Sequence, residues 1–122
     1  MRALILSANT GGGHNSAAKA VGEALLRYGA EYEMADTLSF VSQTVSDVVS
    51  KSHNNLYKYF PTLFGVGYRF AESHSPKFVY DSMTLGAKKL SGFIKEGSYD
   101  AVVCTHVFAA MMVTEGRRKY DL

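Results

Sequence analysis

The chain has 122 residues, 47% of them hydrophobic and 20% charged, which suits one globular domain with one ordinary core and excludes a disordered or fibrous chain. Thirteen basic against eleven acidic residues leave a net charge of +2, too small to suggest nucleic acid as a partner, and none is expected. Residues 1–50 carry three basic and five acidic groups and residues 51–122 carry ten and six, so the positive charge belongs to the second half.

Ala3-Leu4-Ile5-Leu6 is a short continuous apolar run that stops at Ser7-Ala8-Asn9, as expected of a central parallel strand buried on both faces. A glycine loop follows. Ser16 to Tyr28 then places Ala17, Val21, Ala24, Leu25 and Tyr28 near one helical face, with Gly29 available as the C-terminal cap. Glu31-Tyr32-Glu33-Met34-Ala35 alternates and ends in Asp36, which predicts a second strand nearer the sheet edge. From Leu38 to about Asn55, Val41, Val45, Val48 and Val49 recur at helical spacing behind a start signal at Thr37 or Ser39.

Ser75-Pro76 opens a further helix that carries Val79, Met83, Leu90, Phe93 and Ile94 and closes near Gly97. Ala101-Val102-Val103-Cys104 is a second buried strand ending at Thr105-His106, and Phe108 to Lys119 reads as a helix with Arg117, Arg118 and Lys119 complementing its dipole. Cys104 is the single cysteine, so no internal disulfide forms, and the short apolar run after Met1-Arg2 is no secretory signal. A cytoplasmic location is expected. No stretch approaches the ~20 apolar residues of a spanning helix, so any membrane contact is at the surface.

The alternation of strands and helices predicts an α/β domain: a Rossmann-like parallel sheet of right-handed βαβ units with helices on both faces. Ligands of such sheets bind at the carboxyl ends of the strands, where Asn9 to His14 and Thr105-His106 both fall. Three adjacent glycines in Asn9-Thr10-Gly11-Gly12-Gly13-His14 let the backbone approach a ligand and aim amide N–H groups at it, and the helix dipole favours an anion there.

The Walker A pattern fails because no Gly-Lys-Ser/Thr follows at the required spacing. The dinucleotide fingerprint fits Gly11 and Gly13, but its third glycine falls on Ser16 and Asp36 lies beyond the usual ~20 residues. A plain tight turn is the remaining alternative. His14, in the first turn of the helix, is able to accept a proton from a hydroxyl; the alternative is that it caps the helix. His106 is either a rim residue or a core histidine at a strand end. His53 and His74 lack metal-ligand spacing with each other or with Cys104, so no metal is expected and both histidines read as solvent-facing.

Leu6-Ser7-Ala8-Asn9-Thr10-Gly11-Gly12-Gly13-His14, with the alanine-rich Ala17-Ala18-Lys19-Ala20 behind it, resembles the amino terminus of the diacylglycerol glycosyltransferase family. Tyr99 to His106 resembles the family's second marker strand, and Glu115-Gly116-Arg117-Arg118 the segment after it. Many relatives have an acidic residue where this chain has Asn9, so no role that needs that charge is given to Asn9.

The resemblance implies the N-terminal half of a GT-B fold, an acceptor-binding domain over residues 1–122, with a C-terminal donor-binding domain that this chain lacks. It implies hexose transfer from a UDP-sugar to diacylglycerol in glycolipid biosynthesis, with no cofactor. His14 would deprotonate the acceptor hydroxyl, and Asn9, Thr10, Gly11, Gly12, Gly13, Thr105 and His106 would line the substrate site.

The segment 56–70 holds six of the fifteen aromatics, interleaved with Lys58 and Arg69. Rings and snorkelling cations suit a membrane interface, whereas an aromatic core segment or a contact surface for a second domain are the alternatives. By the resemblance, Tyr57, Lys58, Tyr59, Phe60, Phe64, Tyr68 and Arg69 are expected to meet anionic lipid at the inner face of the cell membrane. A stand-alone lipid- or nucleotide-binding module and a nucleotide-dependent oxidoreductase are the rival readings, and the end of the chain after Lys119, with no further strand, favours a truncated two-domain enzyme over both.

Overall fold

A computed structural model describes residues 1–10, 12–42, 69 and 72–122. Its sheet has three parallel strands: β1 (Arg2–Ser7) lies between β2 (Glu31–Asp36) and β3 (Ala101–Cys104). The most apolar run thus takes the central place. Ala3, Leu4, Ile5 and Leu6 are all fully buried, as a strand covered on both faces must be.

Register sorts the residues into two layers, because paired residues of a parallel sheet point to the same side. Leu4 and Leu6 share a face with Val102, Cys104 and Ala35, and all five pack with Ala87, Leu90, Ile94, Ala109 and Met112 of two helices. These are α3 (Ala87–Gly97) and α4 (Val107–Lys119). Ala3, Tyr32 and Ala101 point the other way, toward α1 (Gly12–Arg27). A Cβ added to Gly22 of α1 would lie 2.5 Å from the Tyr32 ring, so the helix sits on the strand at glycine distance. Helices therefore cover both faces, and the fold is Rossmann-like α/β as expected.

The inner stripe of α1 differs from the expected one. Ala18 and Gly22 are buried and Val21 and Leu25 half-buried, while Ala17 and Ala24 are exposed and Tyr28 is 91% exposed. Close approach to the Tyr32 ring selects glycine at position 22. The helix closes where expected: Gly29 takes a φ of 74°, its N–H donates to the Leu26 carbonyl, and Ala30 N–H donates to the Leu25 carbonyl. That pair of bonds is the Schellman closure.

Two further departures concern the helices after β2. The start signal there is Asp36, whose carboxylate accepts from the Leu38 N–H at the head of a 3-10 turn, Thr37–Phe40, and not Thr37 or Ser39. The rest of the helix expected to Asn55 lies outside the described residues. The single helix expected from Pro76 to Gly97 is two, α2 (Pro76–Met83) and α3, broken at 84–86. A Cβ on Gly86 would lie 2.8 Å from the Phe40 carbonyl carbon, so the break lets the chain pass under the 3-10 turn. Thr84 closes the end of α2, its N–H and its hydroxyl both donating back to the Tyr80 carbonyl at 3.0 Å.

Candidate functional site

Both helix-leading loops, after β1 and after β3, open on the same rim of the sheet, so α1 and α4 start side by side. The ladder runs on past β3, with Thr105 N–H donating to the Leu6 carbonyl at 2.9 Å. Thr105 thereby reaches over β1 to the first turn of α1. Its hydroxyl lies 3.3 Å from both the Leu6 and the His14 carbonyls, and its own carbonyl is 2.9 Å from His14 Nδ1.

A carbonyl only accepts, so His14 Nδ1 carries the proton, and in the neutral ring the lone pair is on Nε2. No group among the described residues occupies that Nε2, and His14 is exposed. The backbone of one loop thus sets the tautomer of a histidine on the other. The ring is oriented by a backbone carbonyl where many oriented histidines use a carboxylate.

His106 is held the opposite way round. It is the N-cap of α4, its Nδ1 accepting from the Phe108 N–H at 3.1 Å, so the neutral ring bears its proton on Nε2. That N–H donates to Thr10 Oγ at 2.9 Å. The two imidazoles meet edge to face with centroids 4.3 Å apart. Burial pushes the His106 pKa below its usual value of 6.5, the neighbouring His14 charge pushes it the same way, and Asp36 pulls it back up. His106 is therefore neither a free rim acceptor nor a plain core histidine, but a capping residue turned toward Thr10.

Three residues not expected at the site stiffen the loop. Ser7 Oγ donates to Asn15 Oδ1 at 2.7 Å, Asn15 Nδ2 donates to Asn9 Oδ1 at 2.8 Å, and Asn9 N–H donates to Asp36 Oδ1 at 3.1 Å. Asp36 ties β2 to the rim as well as capping the 3-10 turn, a position open to inference because residues just past any parallel strand face the ligand edge. Asn15 and Ser7 carried no such signal. Asn9 acts here through its amide and backbone, a role that needs no charge.

Gly12 and Gly13 lie in the first turn of α1, and a Cβ on either would meet no atom of the described residues within 4 Å outside its own helix backbone and chain neighbours. Glycine costs a helix up to about 1 kcal/mol relative to alanine, and packing against the described residues does not require it here. Both glycines sit at the helix N-terminus, where amide donors and the dipole favour an anionic group. Gly11, together with Tyr57, Lys58, Tyr59, Phe60, Phe64 and Tyr68, lies outside the described residues; Arg69 is exposed. His53 is also outside them, whereas His74 is half-buried beside Ser73 Oγ at 2.9 Å rather than solvent-facing. Among the described residues no cluster of His, Cys, Asp and Glu suits a metal, and no helix is long and apolar enough to cross a membrane.

A three-stranded parallel sheet with helices on both faces and two oriented histidines at its carboxyl rim defines a Rossmann-like α/β domain. The family model for monogalactosyldiacylglycerol (MGDG) synthase matches residues 14–121, nearly the whole chain, and the chain belongs to that family. It is a glycolipid glycosyltransferase domain. No curated protein and no solved structure matches it.

Proposed function

We propose that this domain binds diacylglycerol and presents its 3-hydroxyl to His14, which removes the hydroxyl proton as a hexose is transferred from a UDP-sugar. The proton goes to Nε2, the hydroxyl oxygen forms a bond to the anomeric carbon, and the bond from that carbon to the diphosphate breaks, its electron pair leaving with UDP. The observation that carries this reading is the hydrogen bond from His14 Nδ1 to the Thr105 carbonyl, which leaves Nε2 of this exposed side chain without a partner among the described residues. The two glycines at the N-terminus of α1, where helix amides and dipole favour an anion, support an adjacent place for the donor's phosphates. A second, C-terminal domain of the GT-B fold would hold the rest of the donor.

General-base assistance is worth ~10²–10⁴-fold, so His14→Ala in the full-length protein should lower turnover by about that factor while leaving substrate affinity nearly unchanged. Wild-type turnover in that variant would remove the assignment. Peripheral docking through Tyr57, Lys58, Tyr59, Phe60, Phe64, Tyr68 and Arg69 belongs to the same proposal, because a lipid acceptor has to be reached from the bilayer. Co-sedimentation with liposomes should rise with anionic lipid content, and binding indifferent to that content would count against docking by Lys58 and Arg69.

A further inference from the structure

The reaction as drawn leaves Thr10 and His106 without a part, although both stand beside the base. Thr10 Oγ takes a hydrogen bond from His106 Nε2–H, and His106 has no choice in the matter, because its other nitrogen is committed to the Phe108 N–H. The direction of that bond decides what Thr10 has left to offer. With an oxygen lone pair used by His106, the hydroxyl proton of Thr10 finds no acceptor among the described residues. A hydroxyl so arranged is a directed donor.

We infer that His106 is a positioning residue that fixes Thr10 as a hydrogen-bond donor to an acceptor oxygen of the substrate, next to His14. The chain of direction runs from the backbone of α4 through the imidazole to the hydroxyl: Phe108 N–H to Nδ1, Nε2–H to Thr10 Oγ, Thr10 O–H to the ligand. Each link polarises the next, which strengthens the terminal donor. Suitable ligand oxygens accept without donating, namely an ester carbonyl of the lipid or a phosphoryl oxygen of the sugar nucleotide. The rings' edge-to-face contact at 4.3 Å adds a second consequence. A neutral His106 leaves room for the positive charge that His14 acquires when it takes the proton, whereas a charged one would oppose it.

This inference takes the location of the reaction from the proposed function, but not the identity of the base. The test uses the full-length protein and two replacements that split the roles of the imidazole. In His106→Asn the amide oxygen stands near the place of Nδ1 and still caps α4, but nothing reaches Thr10; in His106→Gln an amide N–H stands near the place of Nε2 and reaches Thr10, but the cap is lost. The Asn variant should keep its thermal midpoint and lose roughly tenfold in kcat/KM, about the worth of one directed hydrogen bond. The Gln variant should lose thermal stability and retain most of its turnover.

Thr10→Val should cost about the same tenfold, Thr10→Ser should restore it, and the His106→Asn, Thr10→Val double variant should be no worse than either alone. A loss confined to the KM for lipid identifies an ester carbonyl as the partner, and one confined to the KM for the sugar nucleotide identifies a phosphoryl oxygen. Wild-type kcat/KM in His106→Asn, or losses that multiply in the double variant, would overturn the inference. So would a long-range proton–nitrogen spectrum with the His106 proton on Nδ1. If His14→Ala kept its turnover while the Thr10–His106 coupling persisted, the base would be misassigned and the positioning role would stand.

Discussion

Helix α4 carries a polar cluster at each end, and the two are built on opposite rules. At its start, His106, Thr10 and His14 are joined in a line that ends on open atoms: the Thr10 proton and the His14 Nε2 lone pair have no partner among the described residues. At its end, Glu115 is only 3% exposed and closes on itself, with its carboxylate 2.5 Å from Lys119 Nζ and 2.9 Å from the Arg118 guanidinium, and with Tyr80 Oη of α2 donating to it at 3.1 Å. No buried side-chain polar atom among the described residues goes without a partner. Polar groups that satisfy one another are structural, and those held in place with a valence to spare are where a ligand finishes the arrangement.

The contrast is broken first by His14→Ala. Turnover should fall by ~10²–10⁴-fold with the thermal midpoint nearly unchanged, since the side chain is exposed and makes one bond to backbone. A large fall in the midpoint would mean that the rim is structural after all. Glu115→Ala should do the reverse. It leaves Tyr80, Arg118 and Lys119 without their common acceptor and loosens α2 from α4, so the midpoint should fall by several degrees while kcat, measured well below it, stays within about twofold. A loss of kcat equal to that of His14→Ala would show that the two ends of α4 are not independent.

Gly13→Ala separates packing from function at a single residue. The added methyl meets no atom of another described element within 4 Å and removes a poor helix former, so stability should stay level or rise by up to about 1 kcal/mol. Turnover should nonetheless drop, because the methyl narrows the approach to the α1 amides. A variant both more stable and fully active would leave the glycine without a ligand-facing role.

Much of this was legible in the sequence, for identifiable reasons. Short apolar runs bounded by polar residues marked β1 and β3, and their ends located the rim with His14 and His106 on it. Gly29 announced the end of α1 through the one conformation that favours it. What escaped depends on distances between elements. Gly22 faces the sheet because the Tyr32 ring leaves no room for a larger side chain there, and α2 and α3 separate because Gly86 passes under Phe40. The tautomers escaped too, since each is set by a backbone group: the Thr105 carbonyl for His14 and the Phe108 N–H for His106. Backbone groups are the same in every sequence, so only the fold reveals which side chain they meet.

The two ends of α4 should also leave separate marks on stability as the pH falls. His106 has its pKa lowered by burial first and by His14 second, so below about 6.5 the unfolded chain takes up a proton that the folded one refuses. Its contribution is complete above that value and fades as the pH drops through the lower folded one. Glu115 has its pKa lowered from about 4.5, chiefly by the Lys119 hydrogen bond and then by Arg118 and Tyr80, against the opposing effect of burial. The native carboxylate again holds its proton less tightly than the unfolded one, so this contribution is complete above about 4.5 and is lost in more acid solution. Urea unfolding at neutral pH, near pH 5.5 and below pH 4.5 should therefore show two declines. His106→Asn should flatten the first, Glu115→Gln should flatten the second, and neither should alter the other. If Glu115→Gln left the acid decline as steep as in the wild type, the closed cluster would not be what holds α4 at low pH, and the contrast between its two ends would rest on geometry alone.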